Sequence, residues 1–151
     1  MIRKPLPEQL SNTPRTGRSE GARSSLPAVS DVILRDGGTL RLRAPSSDDA
    51  EAVLSFFDHL SERSFYLRFH GAPNVRPSLV EPFLDPDWVE RGALVATLAG
   101  GDGQQIVALA SYARLRDPAA AEVAFTVADD QQGRGIGTRM LEQLAERAAA
   151  V

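Results

Sequence analysis

The chain has 151 residues, of which 42% are hydrophobic and 25% charged, with a formal net charge of −3 and no cysteine. These values are typical of one globular domain with a sizeable core, and they exclude disulfides, cysteine nucleophiles and thiolate-bound metals. No apolar run approaches the roughly 20 residues that span a bilayer, so no membrane segment is expected. Because a chain without thiols suits a reducing compartment, we expect it to be cytoplasmic.

The first 30 residues differ from the rest in charge and composition. Five basic and two acidic residues give segment 1–30 a charge of +3, which leaves −6 for segment 31–151. The first segment is rich in Pro, Gly and Ser and too poor in apolar residues to offset its ordering entropy, which predicts a disordered basic tail. The acidic remainder has no general nucleic-acid footprint. We therefore expect one domain over residues 31–151 and no nucleic-acid partner.

The first half of this domain predicts a hairpin followed by short helices. The sequence DVILRDGGTLRLRA predicts two short strands around the turn at residues 36–38. Ser46 or Ser47 is expected to cap a helix with acidic residues in its first turn. Ser61 is expected to cap a second short helix, and a third is predicted over residues 78–84, before an Asp-Pro pair.

The second half predicts three strands and a helix. The segments GALVATLA, QIVALASYARLR and AEVAFTVAD are typical of strands, with turn residues between them. A helix follows from about Gly137, with its core-facing residues expected at Ile136, Met140, Leu141, Leu144 and Ala148. This order predicts an α/β domain with a mixed, mostly antiparallel sheet and flanking helices. Because a helix after a strand normally crosses to another strand, we expect the chain to be truncated after its third main helix.

Three glycines lie within five positions between the last predicted strand and the helix: Gly133, Gly135 and Gly137. Glycine is costly in ordered elements, and one would be enough for a plain turn. Bare backbone at a helix N-terminus, in contrast, offers unpaired N–H groups to a phosphate. Arg134 is expected to add charge there, and Thr138 a hydroxyl. The spacing therefore favours a phosphate site over a plain turn.

Two nucleotide-binding motifs are weak alternatives. A P-loop needs Lys followed by Ser or Thr after its last glycine, but this chain has Thr138 and Arg139 there. The dinucleotide pattern G-x-G-x-x-G would need glycine in place of Thr138 or Met140. The strand before the loop also belongs to an antiparallel meander, unlike the strand of a βαβ nucleotide fold.

At these residues the chain resembles the GNAT superfamily of acyl-CoA-dependent N-acyltransferases. Their pyrophosphate loop is Gln or Arg, two residues, Gly, one residue, then Gly or Ala, and residues 132–137 (QGRGIG) fit every position. In that superfamily the loop follows the fourth strand and opens the third helix, which is the order predicted here. The resemblance covers about residues 31–151. It implies acetyl-CoA as the acyl donor, and with two distant histidines and no cysteine we expect no metal.

A narrower resemblance concerns the first half of the domain. The stretch VILRDGGTLRLRAPSSDDAEAVLSFFDHLSERSFYLRF is similar to the GNAT module of Pat-type protein lysine acetyltransferases. This implies a protein lysine as acceptor, an acyl-CoA synthetase being one candidate, with Tyr66 and Arg68 lining the acceptor groove. Core packing and a surface ion pair explain these two residues almost as well.

In the Pat-type proteins the module is fused to a large domain that resembles NDP-forming acyl-CoA synthetases. That domain is absent from this sequence, and the full-length protein is expected to contain it. The closing strands of the GNAT fold, which normally follow the third helix, are missing as well. The usual general-acid tyrosine of the superfamily therefore has no counterpart that can be assigned.

The resemblance also implies a general base and a set of cofactor contacts. A lysine with a pKa of about 10.4 is almost entirely protonated at pH 7, so direct attack on a thioester needs a base. Glu122 in AEVAF resembles the base of the protein lysine acetyltransferases, although the residues alone favour a solvated glutamate at a strand end. Asp129 and Asp130, next to an expected anion, are interpreted as turn formers. The implied cofactor-binding residues are Phe125, Val127, Ala128, Gln132, Gly133, Arg134, Gly135, Ile136, Gly137 and Thr138.

Two other functions share this pattern. A small-molecule amine N-acetyltransferase would differ only in its acceptor groove. A non-catalytic acyl-CoA-sensing module would bind the donor without transferring its acyl group.

Overall fold

Five strands form one antiparallel sheet whose spatial order is the order of the chain. The computed structural model describes residues 27–72, 74–100 and 105–151, so residues 1–26 of the predicted tail lie outside the described part. The strands are β1 (Val29–Ile33), β2 (Thr39–Arg43), β3 (Arg91–Leu98), β4 (Ile106–Arg114) and β5 (Ala121–Val127). The helices are α1 (Ala50–Asp58), α2 (Glu62–Phe69), α3 (Pro77–Val80) and α4 (Ile136–Ala149).

The predicted α/β fold with a mostly antiparallel sheet and flanking helices is confirmed. All four strand pairings in the described ranges are antiparallel. Each predicted strand is present, and β5 forms one edge of the sheet. None of the described helices is long and apolar enough to cross a membrane.

The β1–β2 hairpin forms where the sequence predicts it. Gly37 has a φ of 87°, a left-handed conformation that glycine adopts without strain. The carboxylate of Asp36 accepts a hydrogen bond from the Gly38 N–H at 2.9 Å, and the Leu34 N–H donates to the Gly38 carbonyl at 2.8 Å. The turn is therefore fixed by both backbone and side chain.

Helices cover both faces of the sheet. On one face α4 packs through Ile136, Met140 and Leu144, all buried. On the other face α1, α2 and α3 enclose an aromatic cluster around Phe57, with neighbouring ring centroids at 5.0 to 5.7 Å. Because β4 lies between these layers, seven consecutive residues at its start are buried. Burial on both faces explains its continuous apolar sequence.

Two helix predictions need correction. Ala148, expected to face the core, is exposed in the last turn of α4, where it lines an open groove with Val123. The helical period predicted the buried face at Ile136, Met140 and Leu144, but not the open groove at the end of the helix. The helix expected over residues 78–84 is an α-helix only to Val80 and continues as a 3-10 turn at Glu81–Phe83. Pro82 lacks the N–H that a longer α-helix would use.

Asp129 links the start of α2 to the end of β5. Its carboxylate accepts hydrogen bonds from the Ser61 N–H at 2.8 Å and from the hydroxyls of Ser61 and Ser64 at 2.7 Å. Ser61 also caps α2, as predicted, by accepting from the Ser64 N–H at 3.1 Å. The bonds from the Ser61 N–H and the Ser64 hydroxyl lower the pKa of Asp129. Its interpretation as a turn former is therefore incomplete, because it also anchors a helix.

Replacing Phe57 by Ala should destabilise the fold strongly. The ring is 1% exposed, and Phe→Ala in a packed core typically costs about 3–5 kcal/mol. Ile33→Ala is the control, since Ile33 on β1 is 70% exposed and its truncation should cost less than about 0.5 kcal/mol. Urea unfolding followed by circular dichroism measures both, and equal midpoints for the two variants would contradict this packing.

Asp129→Asn should remove a pH-dependent part of the stability. The folded pKa of Asp129 lies below its usual 3.8, so the carboxylate stabilises the fold above that pH and loses this effect as the pH falls through the lower, folded value. The difference in unfolding free energy between wild type and Asp129→Asn should therefore be full at pH 7 and shrink in strong acid. The matched control is Asp130→Asn, which changes the exposed neighbouring carboxylate; a pH-independent difference for Asp129→Asn would contradict the assignment.

Candidate functional site

A cleft of about 340 Å³ lies between α2, β5 and the glycine-containing loop. We call it the loop cleft. Most of the predicted cofactor-binding residues line it, together with residues that were not predicted to bind the cofactor, among them Arg68, which the resemblance implied for the acceptor groove. The predicted residues are Phe125, Val127, Gln132, Gly133, Gly135, Ile136, Gly137 and Thr138, and the added ones are Ser64, Leu67, Arg68, Thr126 and Gln131.

The three glycines of the loop have two different physical reasons. Gly133 and Gly135 both have a φ of 80°, which strains any residue with a Cβ. Gly135 is also the N-cap of α4. Gly137 lies within the helix, where a Cβ would stand 2.6 Å from the ring of Phe125. Backbone conformation therefore requires glycine at positions 133 and 135, and the close approach of the Phe125 ring requires it at position 137.

The backbone amides of the loop are open to a ligand. Within the described part of the chain, the N–H groups of residues 132–138 donate to no carbonyl or side-chain acceptor. They surround the N-terminus of α4, where helix geometry leaves donors unpaired and the macrodipole is positive. Such an arrangement binds anions, phosphates in particular. The loop amides therefore remain available for hydrogen bonds to a ligand, as the predicted phosphate site would need.

The side chain of Arg134 makes two hydrogen bonds within the protein. Its Nε donates to Asp36 at 2.6 Å and its Nη1 to the Oε1 of Gln131 at 2.7 Å. The guanidinium therefore ties the loop to the β1–β2 turn. The predicted contribution of this charge to an anion site stays a prediction, while the backbone of Arg134 forms part of the loop.

The open edge of β5 provides further main-chain groups. The N–H of Ala128 donates to the Val107 carbonyl at 2.8 Å, and the Ala128 carbonyl accepts from the Gln131 N–H at 2.9 Å. Since alternate residues of an edge strand point their main-chain groups outward, Phe125 and Val127 face the open side. The carbonyl of Val127 accepts from Gln132 Nε2 at 3.2 Å. Both main-chain groups of Ala128 are therefore engaged in internal hydrogen bonds, whereas in the described part of the chain the outward groups of Phe125 are not.

Glu122 lies in a second, smaller cleft of about 180 Å³ on the α2 face of the sheet, which we call the Glu122 cleft. In the strand register Glu122 pairs with Ala113, which pairs in turn with Arg91, so the three residues form one row across the sheet. The next row contains Ser111 and Ala124. Small side chains leave the floor shallow, and the carboxylate of Glu122 is exposed above it.

Arg68 of α2 lines both clefts. Its Nη2 donates to the hydroxyl of Ser111 at 3.0 Å, and its guanidinium carbon lies 5.0 Å from the ring centre of Phe69 and 5.2 Å from that of Phe83. Burial lowers the pKa of Arg68, and the nearby charge of Glu122 opposes this effect. A partly desolvated positive charge is thus held at the junction of the two clefts.

Tyr66, which was expected beside Arg68 in the acceptor groove, lines neither cleft. Its side chain is 56% exposed and meets His70 edge-on, with ring centroids 6.2 Å apart. A helix turns about 100° per residue, so the side chains of Tyr66 and Arg68, two residues apart on α2, point in different directions.

Across the described ranges, no three His, Asp or Glu side chains lie close enough together to hold a metal ion.

Comparison with known proteins identifies the family. The model of the acetyltransferase (GNAT) family matches residues 55–151. The acetyltransferase PA5475 of Pseudomonas aeruginosa is 31% identical over 115 residues, covering 75% of this chain and 61% of its own. The acetyltransferase Pat of Mycolicibacterium smegmatis is 34% identical over 114 residues, covering 75% of this chain and 34% of its own. The chain thus spans roughly a third to three-fifths of these relatives.

Solved structures agree with this assignment. The GNAT domain of S. lividans PAT is 37% identical, with a TM-score of 0.72, over 83% of this chain and 75% of that one. A cAMP-binding acyltransferase from Mycobacterium smegmatis is 30% identical, with a TM-score of 0.52, over 81% of this chain and 35% of that one. A GCN5-related N-acetyltransferase from Kribbella flavida, 21% identical with a TM-score of 0.55, shares the fold. The chain belongs to the GNAT family of acetyltransferases, whose acyl donor is acetyl-CoA.

Proposed function

We propose that this chain transfers the acetyl group of acetyl-CoA to a lysine side chain of another protein, by direct attack of the amine and with Glu122 as general base. The observation that carries the proposal is the meeting of two clefts at Arg68. One cleft offers free amides to an anionic donor. The other contains an exposed carboxylate that a cationic acceptor can approach.

The donor is proposed to lie along the loop cleft. The amides of residues 132–138 would bind the pyrophosphate, aided by the hydroxyl of Thr138 and the side chain of Gln132. The outward main-chain groups of Phe125 and Val127 would pair with the pantetheine arm, much as an added strand pairs with a sheet edge. In this orientation the pantetheine arm runs along β5 from the loop, and its thioester end points towards Glu122.

Glu122 is proposed to produce the neutral amine. At pH 7 roughly one lysine in a few thousand is uncharged, and a base restores the reactive form. Glu122 accepts a proton from the ammonium, directly or through water. The nitrogen then forms a bond to the thioester carbon, the C–S bond breaks, and the second nitrogen proton neutralises the departing thiolate. No side chain is assigned as general acid.

The acceptor is proposed to be a protein for three reasons. The Glu122 cleft is shallow and open, so a lysine on another molecule can reach it. The first half of the chain resembles Pat-type protein lysine acetyltransferases. The chain is also similar to proteins named Pat and PAT. An acyl-CoA synthetase is the acceptor we propose first, and a fused acyl-CoA-synthetase-like domain is proposed for the full-length protein.

Glu122→Gln should reduce turnover without affecting donor binding. Loss of a general base typically lowers kcat by about 100-fold to 10,000-fold. Glu51→Gln is the matched control, because Glu51 is an exposed carboxylate on α1 that lines neither cleft. Acetylation of a lysine-containing protein measures turnover, and calorimetry with CoA measures binding. Unchanged turnover in Glu122→Gln would remove Glu122 from the mechanism.

The same assay identifies the class of acceptor. An acyl-CoA synthetase, free polyamines and an aminoglycoside are offered separately with acetyl-CoA, and we expect acetylation of the protein. Acetylation of the small amines alone would show a small-molecule acetyltransferase. Donor binding with no product on any amine would show an acyl-CoA-sensing module, and either result would overturn the proposed acceptor.

Gly135→Ala should weaken CoA binding through the loop conformation. With a φ of 80° the new side chain strains the backbone, and relief of that strain moves the amides away from the pyrophosphate. We expect Kd for CoA to rise about tenfold, which corresponds to about 1.4 kcal/mol. The control is Gly100→Ala, since Gly100 has a φ of 90° but lies outside the loop cleft. Equal effects of the two variants on Kd would contradict the loop as the donor site.

A further inference from the structure

The two clefts share a single side chain. Among the residues that the structure describes, Arg68 is the one that lines both the loop cleft and the Glu122 cleft. If the donor enters through the first and the acceptor through the second, the atoms that react meet at their junction. Arg68 is then adjacent to the acyl group when the new bond forms.

The strand register locates this junction more closely. Arg68 donates to Ser111, and Ser111 lies opposite Ala124 on β5. Side chains two apart on a strand share a face, so Ala124 is flanked by Glu122 on one side and Thr126 on the other. Glu122 lines the Glu122 cleft, and Thr126 lines the loop cleft. The guanidinium therefore lies between the proposed base and the proposed donor.

The protein leaves the charge of Arg68 poorly compensated. A guanidinium has five N–H donors, and in the described structure Arg68 makes one hydrogen bond, to the hydroxyl of Ser111. Its Nε is buried and has no partner, and the same is true of the hydroxyl of Thr126 on the neighbouring strand. Glu122 is near enough to act on Arg68 electrostatically, but the two are not among the ion pairs within 4.0 Å in the described part of the chain. An unpaired charge in such surroundings interacts strongly with a ligand.

We propose that Arg68 is a catalytic residue that stabilises the oxyanion of the tetrahedral adduct during acyl transfer. This inference rests on the proposed function. When the amine nitrogen bonds to the thioester carbon, the electron pair of the C=O bond moves to oxygen, and the terminal amino groups of Arg68 donate to that oxygen. When the C=O bond re-forms, the C–S bond breaks and the thiolate leaves. Arg68 neither gains nor loses a proton.

A purely structural role is the alternative to be tested. The guanidinium packs against Phe69 and Phe83, so its removal could simply loosen α2. Two substitutions separate these roles. Arg68→Met retains length and apolar packing without charge, and Arg68→Lys retains charge without the planar donors. Arg63→Met is the matched control, because Arg63 is an exposed arginine on the same helix that lines neither cleft.

The experiment measures three quantities in each variant of this chain: kcat for lysine acetylation, the rate of acetyl-CoA hydrolysis without acceptor, and Kd for CoA. Hydrolysis passes through the same kind of oxyanion but needs no acceptor. Arg68→Met should lower both rates about 100-fold to 1,000-fold, the usual effect of losing one oxyanion donor, with Kd nearly unchanged. Arg68→Lys should be intermediate, and Arg63→Met should equal wild type.

A chemical rescue completes the test and guards against misfolding. Arg68→Ala leaves space for a small guanidinium ion, and added guanidinium should restore a measurable part of both rates at concentrations far below those that unfold proteins. A merely structural arginine predicts no such recovery. Wild-type rates in Arg68→Met, a raised Kd with unchanged rates, or no rescue in a folded Arg68→Ala would each overturn the proposal.

The outcomes also separate this inference from the proposed function. If small amines replace protein lysines as acceptors, or if Glu122→Gln retains full turnover, the proposed function is wrong, while the hydrolysis rates still decide the role of Arg68. If wild type acetylates lysine but Arg68→Met does so equally well, the inference about Arg68 alone is wrong. A chain that neither transfers nor hydrolyses the acetyl group would overturn both.

Discussion

The carboxylate of Asp129 connects the parts of the molecule that form the two clefts. It follows β5 directly and accepts three hydrogen bonds from the first turn of α2. Because α2 contributes Ser64, Leu67 and Arg68 to the clefts, its position on the sheet decides where they lie. A helix of eight residues would be only marginally stable by itself. The three hydrogen bonds to Asp129 therefore matter for both its stability and its position.

The second constraint is that β5 is an edge strand. Its inner side pairs with β4, while the main-chain groups of Phe125 and Val127 remain directed outward. After it the glycines turn the chain into α4, and among the described residues the loop amides have no internal acceptor. The edge of β5 and the N-terminus of α4 thus both provide unpaired backbone groups, and the two lie next to each other. A ligand with a long polar arm and a charged end matches this surface chemically.

The sequence predicted the local features well, and those that depend on distant pairing poorly. The DGG turn, the Ser61 cap and the glycine loop each depend on a few neighbouring residues whose conformational preferences are strong. By contrast, Arg134 pairs with Asp36 across 98 positions and Asp129 with Ser61 across 68. Nothing near Arg134 indicates that a hairpin turn will present a carboxylate to it. The open groove beside Ala148 is equally non-local, because residues 118–121 and Val123 form its other side.

The place of Glu122 within the site shows the same limit. Glu122, Ala124 and Thr126 share one face of β5, because side chains two apart on a strand point the same way. The neighbours that give this face its chemistry, Arg68 and Ser111, come from a helix and another strand. Only the register between β4 and β5 brings Ser111 opposite Ala124. Family resemblance drew attention to Glu122 and to Arg68, but it did not indicate the hydrogen bond to Ser111 that positions Arg68.

The contact between Phe125 and Gly137 sets the position of one wall of the loop cleft. The ring of Phe125 lines the loop cleft, and it also packs against Gly137 of α4, which has no side chain. Because a Cβ at position 137 would stand 2.6 Å from this ring, the lack of a side chain there determines how closely Phe125 approaches α4. Any larger residue at position 137 would displace the Phe125 ring and change the width of the loop cleft, although the backbone amide at that position would keep its chemical identity.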